Sequence, residues 1–572
     1  MAVHNADIAA QFNRMADLLE IEGANPFRVR AYRRAAGTIE DLPESIAQML
    51  AEGRKLDKLP GIGADLAGKI KEICATGHLA ALEEVEARTP STLAALTAIP
   101  GLGPKRVQLL HDKLGIKSIA DLTKAAKAGK LHALPRFSVA MEAKLLAEID
   151  KSKQAAQRFK ISVAEDFAEG LTAYLKSGPG IGKVVVAGSF RRRKETVGDL
   201  DILVTCRKGA AAIDYFIAYD EVAKVLAKGT TRATVMLRAG VQVDVRVVPE
   251  ESYGAALHYF TGSKGHNIAV RKIALAKRLK LNEYGIFRGK KRIGGRTEEE
   301  VFKAAGLPYI EPEIREDRGE IEAAAAGALP QLVTLADIKG DLHVHTRQSD
   351  GKSSLSEMAE AAKERGYKYL AISDHSRHAT VAHGLDAKRL SAELNQIDRL
   401  NETLTGIELL KSCEVDILAD GKLDLPDSIL KRLDFTVCAV HYRFELDSKA
   451  QTERIIRAMD NRYFSILAHP TGRLLGERPG YAVDLERVME AAKERGCFLE
   501  INSHPSRLDL DDVHSRAAKG MGLKVAISTD AHSTIGLNAM RFGVDQARRG
   551  WLTPGDVLNT RPWPNLKKLL AR

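Results

Sequence analysis

Two aspartates near the middle of the chain follow a pattern that favours metal chemistry. Asp199 and Asp201 stand two positions apart in the apolar run "VGDLDILV". Because side chains alternate along a β-strand, both carboxylates would project from one face. Asp244 alternates with valines in "VQVDVRVV", so it would face a cleft while the valines face a core. Clustered carboxylates repel one another unless divalent cations lie between them, and such oxygen ligands suit Mg²⁺.

The segment before the acid pair, "GSFRRRK", carries groups that bind phosphate. Gly188 and Ser189 offer close access to backbone and hydroxyl groups, and the arginines supply positive charge. Two Mg²⁺ ions held by the acids could bind a triphosphate, activate an attacking hydroxyl and stabilise the leaving oxygen. A lone Asp-x-Asp pair more often ends a surface strand, so the inference depends on the whole combination.

Histidines are concentrated in the last part of the chain, where ten of the 16 follow residue 340. Nine potential ligands lie at or near the ends of apolar runs: His343, His345, Asp350, His375, Glu414, His441, His469, Asp530 and His532. Any one of these histidines alone would more often be structural or exposed. Together, the imidazoles and carboxylates suit two or three transition-metal ions, since Mn²⁺, Zn²⁺ and Fe²⁺ accept mixed nitrogen and oxygen ligands.

The elements around these ligands predict a barrel. Seven strand-like runs separated by helices follow residue 339: "GDLHVH", "YLAISDH", "LLKSCEVDI", "FTVCAVHY", "SILAHP", "CFLEINSH" and "VAISTDAH". That alternation is typical of a parallel β/α barrel, in which residues at the carboxyl ends of the strands converge on one site. Residues 183–248 instead contain β-branched strands, some of them separated by helices, around the acids.

The first 150 residues have helical spacing and breaks that recur about every forty residues. The breaks are "LPGIGADLAGKI", "IPGLGPKRVQLL" and "LPRFSVAMEAKL". The first two share a Pro-Gly-x-Gly turn before a helix, which would expose backbone N–H groups as an anion site. The third has lost both glycines, so we expect it to be structural only.

Composition sets broader limits. A chain of 572 residues predicts about two to four domains. Residues 101–300 contain 37 Lys and Arg against 21 Asp and Glu, whereas residues 341–572 are close to neutral. A basic middle favours a polyanionic partner, although a solvated basic surface would give the same count. Because the chain has scattered cysteines, no membrane-length apolar run and no secretory leader, we expect a cytoplasmic protein.

On the glycine–serine turn and the three acids, the chain resembles the nucleotidyltransferase superfamily, and specifically the family X DNA polymerases, the group of DNA polymerase beta. The resemblance covers roughly residues 1–315. It implies that the catalytic residues, which hold Mg²⁺ or Mn²⁺, are Asp199, Asp201 and Asp244. It implies triphosphate contacts at Gly188, Ser189, Arg192 and Gly198. The segment "YFTGSKGHN" resembles the part of these enzymes that contacts sugar and base, which implies nucleotide contacts at Tyr259, Phe260, Gly262, Asn267 and Arg271.

The Pro-Gly-x-Gly turns resemble helix-hairpin-helix motifs, which bind DNA phosphates without reading sequence. This implies DNA contacts at Gly61, Gly63, Gly101, Gly103 and Lys105. Lys69 falls where relatives with 5′-deoxyribose phosphate lyase activity place their Schiff-base lysine. Asp65 stands where those relatives carry a helper lysine, so Lys69 is equally well a DNA-facing charge.

The histidine-rich part resembles the polymerase and histidinol phosphatase (PHP) domain over about residues 337–570, and all nine ligand positions of that domain are occupied. The resemblance implies a cluster of two or three Mn²⁺, Zn²⁺ or Fe²⁺ ions and a 3′→5′ exonuclease that acts on DNA. Two alternatives remain open. In one, the PHP domain is structural or a small-phosphate phosphatase; in the other, the whole chain is a non-catalytic module that binds DNA ends.

The predicted fold is therefore multidomain: an α-helical helix-hairpin-helix region, an α+β nucleotidyltransferase palm with a thumb, and a C-terminal distorted (β/α)7 barrel of PHP type. The predicted parts are a lyase-like helical domain (1–85), a second helical DNA-binding subdomain (86–155), the palm (156–250), the thumb (251–315), a linker (316–336) and the PHP domain (337–572). The resemblance implies gap filling in base excision repair or end joining. We expect gapped or nicked double-stranded DNA and deoxynucleoside triphosphates as partners, no membrane, a monomeric state and association with the nucleoid.

Overall fold

The computed structural model describes residues 5–40, 46–59, 61–89, 93, 96, 99, 102–135, 137–138, 141–142, 145–146 and 158–571. The chain divides into two compact units, Met1–Gln157 and Arg158–Arg572. No helix in the described ranges combines the length and the apolar character needed to cross a membrane.

The first unit is helical, as its spacing predicts. Its helices α1 to α7 are Asn5–Ile21, Pro26–Glu40, Ile46–Ala51, Ala64–Thr76, Ala80–Arg88, Pro104–Leu114 and Ile119–Lys127. Helices α4 and α6 end at Gly77 and Gly115, whose left-handed backbone lets their N–H groups cap the last turn. The core includes the edge-to-face pair of Phe12 and Tyr32. Part of the third helix break, from residue 136, lies outside the described residues.

The second unit begins with the palm, a mixed sheet covered by helices. Its strands β1 to β7 are Phe159–Lys160, Ile181–Val186, Thr196–Val197, Asp199–Cys206, Val222–Lys228, Arg232–Leu237 and Gln242–Val248. Its helices α8 to α10 are Ile161–Lys176, Gly188–Arg191 and Gly209–Ile217. The main sheet has the order β2-β4-β7-β6-β5, in which β4 and β7 are parallel and the other neighbours antiparallel.

The thumb follows the palm and packs around its own small core. Its helices α11 to α14 are Tyr253–Thr261, Lys264–Ala276, Glu298–Ala305 and Glu320–Ala325, and its strands β8 to β10 are Lys280–Asn282, Gly285–Arg288 and Lys291–Gly294. The basic segment "FRGKKRIGG", which its composition suggests to be a loop, is instead the β9–β10 hairpin. Helix α14 lies in the predicted linker, and its Ile321 packs in the thumb core.

The remaining residues form the predicted barrel. Its strands β11 to β18 are Gly340–Val344, Tyr369–Ile372, Glu408–Lys411, Glu414–Asp416, Val437–Ala439, Ile466–Leu467, Phe498–Asn502 and Val525–Ser528. Its helices α15 to α22 are Leu355–Glu364, Ala387–Asn401, Asp427–Leu430, Ser448–Met459, Leu485–Arg495, Asp512–Gly520, Met540–Arg549 and Trp563–Leu570.

All strand pairs of the barrel are parallel, and they form two sheets, β11 to β13 and β14 to β18. Parallel bridges from Val344 to Ala531 and from His375 to Glu414 connect the two sheets. Each of the seven predicted runs forms strand, and "LLKSCEVDI" forms two, β13 and β14. The carboxyl ends of the strands therefore meet around one centre.

Candidate active sites

The three palm acids lie on two adjacent parallel strands. Asp201 on β4 is in register with Asp244 on β7, and Asp199 is in register with Gln242. Burial alternates along β7, so that its valines face the core and Asp244 faces the open side, as the sequence pattern predicts. Thr234 on β6 and Gln242 each donate a hydrogen bond to the carboxylate of Asp244.

The electrostatics of these acids favour a cation. Burial raises the pKa of Asp201 to about 7, and the charges of Asp199 and Asp244 act in the same direction. Burial and Asp244 likewise raise the pKa of Asp199. The three acids are not among the groups of described residues whose potential ligand atoms come within 4.8 Å of one another. The three carboxylates nevertheless repel one another on adjacent strands, and a divalent ion with oxygen ligands would relieve that repulsion.

The predicted phosphate loop is built against the acids. Gly188 has φ +60° and begins α9, and the backbone N–H of Ala187 donates to the carbonyl of Asp201 at 2.7 Å. Ser189 is half-buried on α9. Gly198 lies just before Asp199, where an added Cβ would come within 3.6 Å of Arg158.

Arg192 is held on two sides at the end of this loop. Its Nε donates to Glu316 at 3.0 Å and its Nη1 donates to the carbonyl of Thr261 at 2.5 Å. A Cβ on Gly262 would lie 3.2 Å from the same guanidinium. The structure therefore brings the predicted triphosphate arginine against the predicted sugar-contacting segment.

The aromatic pair of that segment is fixed by cations and an amide. The rings of Tyr259 and Phe260 lie 5.0 Å apart, edge to face. Arg271 stacks over Tyr259 at 5.1 Å, and Arg246 stacks over Phe260 at 5.2 Å. Asn267 is buried and donates to the carbonyl of Tyr259 at 2.7 Å, while its Oδ1 has no hydrogen-bond partner.

A cavity of about 300 Å³ opens beside the acids. Its walls include Asp201, Asp244, Arg246 and Phe260. Acids, a cation and an aromatic ring therefore share one cleft. Such a cleft can bind a charged group and a planar or sugar moiety together.

In the barrel, eight of the nine predicted ligands fall into three overlapping groups. The groups are His345, Asp350, His375 and His532; His343, His345 and Asp530; and His375, Glu414 and His441. Within each group the ligand atoms lie within 4.8 Å of one another. His469 completes the set, because its Nε2 lies 2.9 Å from Glu414. Since neighbouring groups share His345 and His375, the arrangement is that of a multinuclear centre.

Unpaired buried atoms in this centre fit metal ions. His345 Nδ1 and His469 Nδ1 are buried without hydrogen-bond partners. His375 Nδ1 lies 2.8 Å from Glu414 Oε2, yet the two atoms are not aligned for a hydrogen bond and each lacks a partner. His343 Nε2 and His345 Nε2 are 3.1 Å apart. Buried nitrogen and oxygen atoms without hydrogen-bond partners are energetically costly. A metal ion bound between such atoms would satisfy them, and mixed nitrogen and oxygen ligands suit transition metals.

Charges in the centre perturb one another in opposite directions. Burial, with the neighbouring His532 and His375, lowers the pKa of His345 to about 4. Although burial acts to lower the pKa of His441, Glu414 and Asp416 raise it to about 10. Burial similarly acts to raise the pKa of Asp350, but His532 lowers it to about 2. Such opposed shifts in one buried cluster are typical of functional sites.

The barrel also contains supporting residues that the sequence reasoning missed. Glu500 accepts a hydrogen bond from His343 Nδ1 at 2.8 Å, and Asp416 lies 3.0 Å from His441 Nδ1. Asn502 donates to Asp530 at 3.1 Å. Partners of this kind fix the ring orientation of ligating histidines. The strand spacing could have indicated these residues. Asp416 shares a strand face with the predicted ligand Glu414, and Glu500 shares a strand face with Asn502.

In the first unit, both glycine turns precede helices whose first N–H groups have no side-chain cap. Gly63 is the N-cap of α4 and Gly103 is the N-cap of α6, with Lys105 exposed in the first turn. Gly61 has φ +75°, which favours glycine. The predicted contact Gly101 lies outside the described residues.

The candidate lyase lysine is paired. Lys69 donates to both carboxylate oxygens of Asp65 at 2.5 Å, and its ammonium lies 5.9 Å from the ring of Tyr32. Tyr32 has a buried hydroxyl without a partner. The lysine is thus bonded to the residue that stands where relatives with lyase activity carry a helper lysine. The role of Lys69 stays a prediction.

Family comparisons agree with this architecture. Residues 3–79 match the helix-hairpin-helix domain, and residues 93–151 match the SAM-like helix-hairpin-helix tandem. Residues 164–252 match the DNA polymerase beta palm, and residues 256–316 match the DNA polymerase beta thumb. Residues 341–504 match the PHP domain. The matches confirm the predicted multidomain fold.

Individual relatives extend the likeness to the whole chain. The chain is 36% identical over 575 residues to the DNA polymerase/3′-5′ exonuclease PolX of Bacillus subtilis (strain 168), with 100% of both chains covered. A probable phosphatase of Thermoanaerobacter sp. is 32% identical over 231 residues, which are 38% of this chain and 89% of that protein. DNA polymerase lambda of Rattus norvegicus is 27% identical over 350 residues, or 55% of this chain and 56% of that protein.

Proposed function

Because the chain belongs to the family of the bacterial DNA polymerase/3′-5′ exonuclease PolX, the family X DNA polymerases that carry a PHP domain, we propose that it fills short gaps in DNA during base excision repair or end joining. In the same chain, the PHP domain would remove nucleotides from 3′ ends. The proposal rests on the 36% identity to PolX over the full chain. It is supported by two separate centres, the acids of the palm and the imidazoles and carboxylates of the barrel.

For polymerisation, the palm acids would hold Mg²⁺ or Mn²⁺, which supplies charge neutralisation for the triphosphate and the attacking 3′-hydroxyl. Asp201 and Asp244 lie side by side, in register on adjacent strands. Hydrogen bonds from Thr234 and Gln242 orient the carboxylate of Asp244. That position suits Asp244 to accept the hydroxyl proton of the primer. Arg192, held toward the nucleotide segment, would bind the phosphates.

The sugar and base would meet the aromatic segment. Tyr259 and Phe260 are braced by Arg271 and Arg246, so their rings offer a rigid surface to the deoxyribose. The Oδ1 atom of buried Asn267 has no hydrogen-bond partner, so it is available to accept a hydrogen bond from the nucleotide. These contacts make deoxynucleoside triphosphates the proposed substrates.

Gapped or nicked double-stranded DNA is the proposed second substrate. The uncapped N-termini after Gly63 and Gly103 would bind phosphates through backbone N–H groups, with Lys105 adding charge. The similarity to DNA polymerase lambda supports a repair role. We propose that the enzyme acts as a monomer at the nucleoid, where its DNA substrate lies.

For exonucleolysis, the nine barrel residues would hold two or three ions, with Mn²⁺, Zn²⁺ and Fe²⁺ matching the donor set. Bound ions supply Lewis-acid activation of water and of the scissile phosphate. The protein's own contribution is orientation: Glu500 and Asp416 fix the rings of His343 and His441.

A second candidate function for the barrel is hydrolysis of a small phosphate ester. The similarity to a probable phosphatase over 231 residues, a length close to that of the barrel domain, favours this alternative. The same metal centre would serve both reactions, so the difference lies in substrate access. A DNA substrate and p-nitrophenyl phosphate, compared at equal concentration, distinguish the two.

The test of the proposed function is a primer-extension assay on DNA with a one-nucleotide gap. With Mg²⁺ and deoxynucleotides, the protein should add one nucleotide; with Mn²⁺ and no nucleotides, it should shorten the labelled 3′ end. Failure to extend, together with failure to shorten the end, would indicate a non-catalytic module that binds DNA ends. Failure to shorten the end, with p-nitrophenyl phosphate still cleaved, would assign the barrel to phosphatase chemistry.

A further inference from the structure

One helix of the barrel domain packs against the palm. Helix α21 places Phe542, Asp545 and Arg549 at positions i, i+3 and i+7, so the three side chains share one face. Phe542 belongs to the same buried cluster as the apolar residues of the palm sheet. Asp545 and Arg549 reach the phosphate loop, residues 188–198, which carries the predicted triphosphate contacts.

Arg549 is the more deeply buried of the two charged residues and donates one bond to the loop and one to a carboxylate that the loop also contacts. Its side chain is 4% exposed. Nη1 donates to the carbonyl of Arg192 at 2.7 Å and to Glu316 at 3.1 Å, and Nη2 donates to Asp512 at 2.5 Å. Glu316 is also the acceptor for the side chain of Arg192. Arg549 thus fixes both the backbone of Arg192 and the carboxylate that orients its guanidinium.

Asp545 holds the next residue of the loop. Its carboxylate accepts from Arg193 Nε at 2.7 Å, and Arg193 also lies 3.3 Å from Glu165 on α8. Arg193 has φ +54°, a left-handed conformation that is uncommon for a residue with a side chain. A strained conformation of this kind persists only where surrounding contacts hold it. The bond from Arg193 to Asp545 is one of those contacts.

These contacts leave Arg192 pre-oriented. With Nε bonded to Glu316 and Nη1 bonded to Thr261, the described contacts leave its Nη2 without a partner. A guanidinium fixed by two bonds loses less freedom when it binds phosphate, and groups fixed in advance bind charge more tightly than mobile ones. Two consecutive arginines are therefore positioned by two residues one turn apart on the barrel helix.

We propose that Arg549 and Asp545 are positioning residues for polymerisation, through which the PHP domain holds the triphosphate loop of the palm ready for the incoming nucleotide. The inference rests on the proposed function, since it requires a nucleotide at Arg192. It assigns the barrel domain a role in nucleotide binding that is separate from its metal centre. That role survives inactivation of the metal centre, because α21 contributes none of the nine ligands.

The test measures the KM for deoxynucleotide and kcat of single-nucleotide gap filling in the full chain. Arg549→Met keeps the apolar stem of the side chain but removes its bonds, so the KM should rise about tenfold, with a smaller change in kcat. Arg549→Lys, which keeps a cation near Glu316 but loses the forked contacts, should give an intermediate KM. Asp545→Asn should raise the KM as well.

A double-substituted protein identifies the route of the effect. If Arg549 acts through Arg192, then Arg549→Met should change the KM by less than about twofold in a protein that already carries Arg192→Met, because coupled residues are not additive. Arg548→Met is the matched control. Arg548 is adjacent on α21 and bonds Glu313 and the carbonyl of Val333, and neither bond involves the loop.

Exonuclease activity of every variant, measured in the same preparations, should stay close to that of the unsubstituted protein. An unchanged KM in Arg549→Met, or an equal KM increase with and without Arg192, would overturn the inference. So would a parallel loss of both activities in Arg549→Met and Arg549→Lys, since that reports general destabilisation. Failure of the unsubstituted protein to extend the primer would instead reject the proposed function itself.

Discussion

Gly188 and Asp201 are packed so closely that a Cβ built on the glycine would lie 2.3 Å from Oδ2 of the aspartate. Gly188 also has φ +60°. The position therefore needs glycine for two reasons: the left-handed backbone and the space taken by the carboxylate. The tight contact brings the start of the phosphate loop against one of the acids proposed to hold metal.

Gly188→Ala should impair polymerisation selectively. Because the added methyl group must displace the Asp201 carboxylate, we expect gap filling to fall at least about a hundredfold, the scale of losing a group that stabilises the transition state. Rapid-quench measurement of single-nucleotide insertion checks this, with 3′-end degradation expected to persist. Gly229→Ala is the control, since a Cβ there meets Arg232 only at 3.6 Å. Full activity of Gly188→Ala would show that the contact is unimportant.

The raised pKa of Asp201 predicts how the metal-free palm responds to pH. Its pKa of about 7 exceeds the ordinary 3.8, first because of burial. The protonated carboxyl is therefore favoured by folding, and its contribution is complete below about pH 4 and lost as pH rises through 7. In EDTA at pH 8, Asp201→Asn should be more stable than the unsubstituted protein, by on the order of 3 kcal/mol.

Urea denaturation of the two proteins between pH 5 and 8 provides the measurement, and the difference should shrink toward pH 5. Asp166→Asn, at an exposed position on α8, should give no such trend. Equal stability of Asp201→Asn and the unsubstituted protein at every pH would contradict the predicted repulsion among the acids. Addition of Mg²⁺ at pH 8 should stabilise the unsubstituted protein more than Asp201→Asn.

Glu298 should be a major source of stability between the palm and the thumb. It is 5% exposed and receives Arg191 from the phosphate loop at 2.5 Å and Arg315 at 2.6 Å. Although burial acts to raise its pKa, these arginines lower it to about 2. Its contribution is thus present above pH 4.5 and is lost as pH falls toward 2.

Glu298→Gln should cost about 3 kcal/mol at pH 7, because it leaves two arginines without their carboxylate in a buried site. The cost should diminish as the pH is lowered toward 3. Chemical denaturation measures the change, and Glu299→Gln, at an exposed neighbouring position, should be close to neutral. A cost below about 1 kcal/mol, the range of surface ion pairs, would be the contrary result.

The glycine turns can be tested without disturbing the fold. Gly63 and Gly103 have extended backbones that suit a branched residue, and a Cβ at either would meet no atom within 4 Å. Gly63→Val and Gly103→Val should therefore remain folded and lose about 1 kcal/mol of stability each, because an apolar residue is a poor N-cap. Added bulk would still keep phosphates away from the helix N-termini, so affinity for gapped DNA should fall about tenfold at fixed salt.

Fluorescence anisotropy with labelled gapped DNA measures this loss, and the melting temperature of each variant reports its fold. Gly37→Ala on α2, where a Cβ also meets no atom, is the control and should bind DNA normally. Normal binding by both valine variants would remove these turns from the DNA interface.

Much of this architecture could be predicted because alternation along strands is a local property. The valines around Asp244 indicated which face the acid occupies, and the register with Asp201 follows that prediction. The strands of the barrel could be predicted equally well from their apolar runs. The β9–β10 hairpin was missed because its charges suggest a loop, although Gly289, with φ +61°, supplies the turn between the two strands.

Other parts of the sites depend on contacts between distant segments, which spacing does not encode. Glu500 supports His343 across 157 positions, and Arg549 reaches Arg192 across 357. The pairing of Lys69 with Asp65 was open to prediction, since the two are four residues apart on α4. The arginine–carboxylate contacts that join the barrel to the palm have no signature in either segment alone.

The central claim is that two separate metal centres in one chain extend and shorten the same DNA strand. The most direct measurement follows one labelled primer on gapped DNA with Asp201→Asn and with Glu414→Gln, in Mg²⁺ and in Mn²⁺. We predict reciprocal loss: Asp201→Asn still shortens the 3′ end but does not extend it, and Glu414→Gln extends the end but does not shorten it. Loss of both reactions in either variant, at unchanged thermal stability, would contradict the existence of two independent centres.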